Sequence, residues 1–200
     1  MANVDAAFGY RPIGKVGSGV NNAGTTLYTI GDNYATSIYK GDHVMQASGL
    51  VIAGTASGST NLGVFNGCFY IDPTSKKPTW SNYYSQVNVT ASGSISGGTT
   101  IDAYIYDDPY TLFEAQCDGT IAKTDIGKNT DSVLGTSSTV NGLSVTEIDD
   151  GTEATTAGLQ VKIIGITKDP ENDDATADNA NWYVMWNEHV KFSSTGITGT

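Results

Sequence analysis

The chain has 200 residues, room for one large domain or two small ones with a sizeable core, and its 38% apolar residues with 24 glycines exclude disorder throughout. The glycines keep no three-residue period, which excludes collagen. Ten basic against 21 acidic residues leave a net charge of −11, with no basic patch to neutralise nucleic-acid phosphates or to hold an anionic membrane surface.

Residues 1–24 carry few bulky apolar side chains beyond Phe8, Tyr10 and Ile13 and read as an extended N-terminal arm ahead of a β-rich body over 25–200. Short apolar or alternating runs, punctuated by Gly, Asn, Asp and Ser, predict strands over 27–30, 43–47, 50–53, 62–65, 68–72, 84–90 and 101–106. Further strands are predicted over 112–117, 143–148, 159–166 and 182–192. Ser48-Gly49 and Asn66-Gly67 each read as the tight turn of a hairpin, glycine supplying a positive φ, and Asp118-Gly119 as a turn back into 120–123. Residues 91–100, with Ser96-Gly97-Gly98-Thr99, are rich in Ser and Gly and mark a candidate subdivision. Residues 124–141 predict a long loop, and the acidic 168–180 an exposed excursion. Nowhere do apolar residues recur at helical spacing with good helix formers between them. The expected fold is all-β: an antiparallel barrel or sandwich with an extended arm, long loops and little helix.

No apolar run approaches the roughly 20 residues that span a bilayer. Residues 1–5 lack the basic and apolar stretches of a secretory signal, so a chain made in the cytosol and not exported by a standard route is expected. Cys68 and Cys117 are too few for a disulfide framework and read as two buried thiols.

Chemistry-bearing constellations are sparse. His43 follows Asp42 and His189 follows Glu188, but no Gly-x-Ser-x-Gly elbow supplies a nucleophile, so both read as strand histidines bonded to neighbours. Asp107-Asp108-Pro109 reads as a turn, and neither it nor Asp149-Asp150 makes a hydrolytic pair alone, because adjacent residues on an extended chain face opposite ways. Asp169, Glu171, Asp173 and Asp178 offer oxygen ligands of the kind calcium takes, but Ala175, Ala177 and the missing central glycine break the EF-hand pattern. No catalytic residue, metal or cofactor is assigned. Trp80, Tyr83 and Tyr84 could stack on sugar rings. Around Trp182, Tyr183 and Trp186 both strand faces are apolar, which suits one face in the core and the other at a subunit interface.

Several strings resemble one family. Ala6-Ala7-Phe8-Gly9-Tyr10-Arg11-Pro12 is similar to the start of small virion proteins of tailed bacteriophages, with Ala7 where Pro is common. Tyr39-Lys40-Gly41-Asp42-His43-Val44, Leu62-Gly63-Val64-Phe65-Asn66-Gly67, Tyr106-Asp107-Asp108-Pro109, Leu112-Phe113-Glu114-Ala115-Gln116 and Trp186-Asn187-Glu188-His189 follow in order. Together they resemble the head decoration, or capsid cement, proteins of short-tailed phages. The resemblance implies a non-enzymatic homotrimer, made in the host cytoplasm, that binds the major capsid protein on the outer surface of the mature virion, without nucleic acid, membrane or cofactor. Phe8, Tyr10, Arg11 and Pro12 of the arm would then contact the capsid or a neighbour. Rival expectations are a virion-surface glycan-binding module, a tail-tube subunit that stacks in rings, and a glycan hydrolase.

Overall fold

A computed structural model describes residues 2–17, 20, 24–31, 34–58, 60–72, 75–86 and 101–192. The fold is all-β, as expected. Its first part is a barrel formed by β2 (Thr26–Ile30), β4 (His43–Ala47), β5 (Leu50–Ala53), β6 (Gly63–Ile71) and β9 (Ile101–Tyr106). These hydrogen-bond in the order β4-β5-β2-β9-β6, and β6 returns to pair with β4, which closes the ring; β7 (Pro78–Ser81) extends β6 on the outside. Among the neighbouring strands of this ring, β2 and β5 run parallel and the other pairs antiparallel. Alternation along β9 turns Ile101, Ala103 and Ile105 inward, where they meet Ile30, Val51 and Phe65.

The second part is an open sheet of β1 (Arg11–Lys15), β10 (Thr111–Gln116), β15 (Asn181–Trp186), β14 (Val161–Ile166) and β11 (Asn129–Thr130), in that order. Phe113, Ala115, Val161, Ile163, Trp182, Val184 and Trp186 form its core. Two short pairs complete the fold: β3 (Ile38–Tyr39) with β8 (Tyr83–Tyr84), and β12 (Ser132–Val133) with β13 (Glu147–Ile148). One 3-10 turn spans Lys123–Asp125. No helix among the described residues is long and apolar enough to cross a membrane.

Several expectations are corrected. Ser48 and Gly49, both at positive φ, do turn β4 into β5. Asn66-Gly67 makes no hairpin: β6 runs through it, with a bulge between Phe65 and Gly67. The glycine is needed because Trp80 lies over it, and a Cβ there would sit 2.6 Å from Trp80 Cζ2. Asp118-Gly119 leads to the 3-10 turn, not to a strand, because the Asp118 N–H donates to Ile148 O. The predicted strand 143–148 shrinks to Glu147–Ile148, and 182–192 stops at Trp186, where the N–H groups of Asn187 and Glu188 both donate to Gln160 O and turn the chain. Residues 124–141 contain β11 and β12 with Asn129, Thr130, Asp131 and Ser132 buried. Of the predicted strand 84–90, residues 87–90 lie outside the described residues, as do 91–100 with their candidate subdivision.

The terminal segment is no free arm. Asn3 Nδ2 donates to the Asp174 and Asp178 carbonyls at 3.0 and 2.7 Å, and Gln116 Nε2 donates to Val4 O at 2.9 Å. Residues 11–15 are a strand of the body's own sheet. The same contacts fold the acidic excursion down, with Asn172, Ala175 and Ala180 buried. Trp182 and Trp186 are likewise not interface residues. They sit four places apart on one strand with Val184 midway, hence on one face, and that face is the chain's own core; of the three expected interface residues Tyr183 alone is partly exposed.

A buried polar seam joins the two parts. Gln160 Nε2 donates to Thr55 O at 2.7 Å beside the barrel, where His43 Nε2 also donates at 2.9 Å. Gln160 Oε1 accepts from the Ser132 N–H at 3.1 Å, and Ser132 Oγ bonds the Tyr10 hydroxyl at 2.6 Å. A Gln160→Leu substitution removes one bond from Thr55 O, which keeps His43 Nε2, and one from the Ser132 N–H, which keeps Ala56 O at 3.3 Å, and should cost about 1 to 2 kcal/mol of unfolding free energy. Urea denaturation measures this; a loss below about 0.5 kcal/mol would mean that the seam is not what couples the parts.

Candidate functional site

A groove of about 290 Å³ lies where the terminal segment crosses the barrel. Phe8, Arg11 and Pro12 form one wall, and Val64, Phe65 and Tyr106 the floor. Lys40, Asn66 and Leu143 complete its rim. Phe8 is half-buried and carries the Arg11 guanidinium 4.2 Å above its ring centre. Arg11 Nη1 also reaches Glu114 Oε2 at 3.2 Å, yet the side chain stays 58% exposed. Leu143 is 40% exposed.

Two glycines create this crossing. Gly9 and Gly41 are both at positive φ, and a Cβ on Gly9 would come within 2.6 Å of Gly41 O and of Ser144 Cβ. The Tyr10 N–H donates to Gly41 O at 2.9 Å, which pins the crossing. Beyond Gly9 the chain dives, so Tyr10 is only 2% exposed and packs against Trp186, Phe113 and His43. Burial raises its phenol pKa well above the ordinary value. Of the four expected contact residues, Phe8, Arg11 and Pro12 therefore share the groove wall, while Tyr10 is a core residue whose ring cannot reach a partner. Lys40 lies within the second of the resembling strings but was not singled out as a contact residue, and no motif marks Leu143.

At the far end of β1 from Arg11, two further ion pairs meet the Asp107-Asp108 turn. Lys15 pairs with Asp108, and Lys191 with Asp107 at 2.8 Å. Burial pushes the Asp107 carboxyl up, but bonds from Lys191, Tyr28 and Thr26 outweigh it and hold the group below the usual carboxylate range. Asp108 is the turn residue expected before Pro109: its Oδ1 accepts from the Tyr110 N–H at 2.9 Å.

The other candidates disperse. His43 and His189 are both buried, and desolvation pushes each imidazole down to about 4. His189 lies past the end of β15 in a bridge with Asn61, not within a strand, and its Nδ1 accepts from the Lys191 N–H. Asp169, Glu171, Asp173 and Asp178 form no ligand group among the described residues; Asp118, Asp149 and Asp150 do lie together, with an oxygen of each accepting a backbone N–H. Cys68 and Cys117 are free and buried in different cores, and burial pushes the Cys68 thiol up to about 12. Trp80, Tyr83 and Tyr84 make no common platform: Trp80, 49% exposed, leans on Tyr104, Tyr83 stacks on Tyr39, and Tyr84 is buried.

No protein-family model, no curated protein and no solved structure matches the chain.

Glu147 supplies a local electrostatic test. Burial, with Asp118 and Asp5 nearby, pushes its carboxyl up to about 7. It is therefore charged at a cost above pH 7, and the cost is relieved as pH falls from 7 towards the ordinary carboxylate value. Glu147→Gln should stabilise the fold by about 1 kcal/mol at pH 8, allowing for solvent screening, and by almost nothing at pH 5. The two histidines act oppositely, their contribution being complete above about 6.5 and draining as pH falls towards 4. Denaturation of both proteins at the two pH values measures the difference, and an equal effect at both would contradict the assignment.

Proposed function

We propose that this chain is a structural virion protein that binds the outer surface of the mature phage capsid lattice as a homotrimer and stabilises it by contact, without making or breaking covalent bonds. One observation carries the reading. The strings that resemble decoration proteins are scattered along the chain, yet every residue lining the groove except Leu143 comes from four of them. Phe8, Tyr10, Arg11 and Pro12 come from the first, Lys40 and Gly41 from the second, Val64, Phe65 and Asn66 from the third, and Tyr106 from the fourth. A resemblance owed to general β character would have no reason to converge on one half-apolar depression. The burial of both histidines supports the same reading, since neither imidazole reaches solvent as a general base.

The mechanism is differential binding. A protein that fits only the expanded shell draws the shell towards that state. Each engaged subunit of a trimer raises the effective concentration of the next, so modest grooves repeated on a symmetric lattice add up. The partner is the major capsid protein, with Phe8, Arg11, Pro12, Lys40 and Leu143 in place of a free arm.

Purified virions should carry about one copy of this chain per major shell subunit by quantitative gel or mass spectrometry; a handful per particle would point to the tail instead. Phe8→Ser with Leu143→Ser should lower head occupancy at least tenfold and leave the circular dichroism spectrum unchanged. Undiminished occupancy of that variant would remove the groove from the interface.

A further inference from the structure

We infer that the groove takes an extended segment of a partner protein in which a carboxylate side chain lies beside an apolar one. This deepens the lattice-binding reading and rests on it. The argument is charge complementarity. The chain has a net charge of −11 and ten basic residues, so an acidic segment is repelled over most of its surface. The groove is the exception: its lining contains Arg11 and Lys40 and no carboxylate. Lys40 is exposed and makes no ion pair among the described residues. Arg11 engages Glu114 through one nitrogen, and its remaining guanidinium N–H groups have no partner among the described residues.

Arg11 is also prepared for the task. Its place over the Phe8 ring holds the planar fork against the apolar wall, so a carboxylate bound there sets an attached apolar side chain beside the accessible faces of Phe8 and Leu143. Recognition proceeds through side chains more than through strand addition. β1 is the outermost strand of its sheet, but Pro12 has no N–H to donate and the register shifts between Pro12 and Gly14, which blunts the edge. Opposite charge at the groove mouth speeds encounter and rejects basic segments, giving a salt-dependent specificity.

The test uses two capped, fluorescein-labelled octapeptides that alternate leucine with glutamate or leucine with lysine, titrated with the full-length protein by fluorescence anisotropy at 20 and 200 mM salt. The glutamate peptide should bind at least tenfold more tightly than the lysine peptide at low salt, with the gap narrowing at high salt. The double variant Arg11→Gln, Lys40→Glu should abolish the preference, whereas Leu143→Ser should weaken the glutamate peptide without reversing it; all proteins are checked by circular dichroism. Equal affinity for the two peptides, no binding of either, or a preference that survives the double variant would overturn the inference. Head occupancy separates the two ideas: full occupancy of heads without peptide discrimination defeats only the partner chemistry. Discrimination without head binding leaves the acidic-segment site standing and defeats the lattice reading.

Discussion

The amide side chain of Gln160 bridges two sheets that share no strand. Its nitrogen bonds Thr55 O at the barrel, its oxygen takes the Ser132 N–H of the second part, and its own backbone N–H donates to Asp131 Oδ1 at 3.2 Å. Hydrophobic contact between the parts is strong but has no direction, and apolar faces alone would let them slide. Buried hydrogen bonds add only modest net stability, yet each costs heavily when left unmade, so the bonds converging on Gln160 favour one relative placement. The aromatic cluster of Tyr10, His43, Phe113 and Trp186 fills the space beside that seam, with Tyr10 edge-on to His43 and Phe113.

Tyr10 connects this framework to the groove. Its hydroxyl is tied to Ser132 and its N–H to Gly41, so the residues just before it cannot swing away from the barrel. The Gly9–Gly41 approach then leaves Phe8 outside as Tyr10 goes in. A groove wall is thus supported from beneath by the same residue that locks the two cores together. Its rigidity follows from the seam, not from the local chain, which between residues 2 and 10 has no regular secondary structure.

Much of this fold was legible in the sequence, because strands with one buried face announce themselves by alternation. The runs 43–47, 50–53 and 101–106 coincide with β4, β5 and β9. What misled was glycine. Asn66-Gly67 has the chemistry of a hairpin turn, but a bulge under an overlying ring asks for the same residue, and only the long-range contact with Trp80 decides between them. Gly9 hid the site in a similar way. On a regular extended chain Phe8 and Tyr10 would share a face, and both would look like surface anchors; the left-handed turn between them sends one to the groove and the other to the core. The tryptophans of β15 misled for a different reason. Tyr183 and Met185 between them are half-buried, so the alternation is muted in sequence although it is strict in the fold. Leu143 carries no local signal, and Lys40 none beyond its place in the second resembling string, since their role exists only once distant segments meet.

A binder that works by repetition needs this kind of rigidity more than it needs a tight single site. A groove of about 290 Å³ with two cations at its rim buries little surface, and any freedom of its wall or of one part against the other would be lost again at each contact. Multivalent gain also depends on geometry: the effective concentration of the next contact is high only if the first holds it in the right place. On the proposed reading, the seam is therefore part of the binding mechanism although it touches no partner. It converts several weak, salt-sensitive contacts into one lattice-wide constraint by keeping each groove at a fixed angle to the body that carries it.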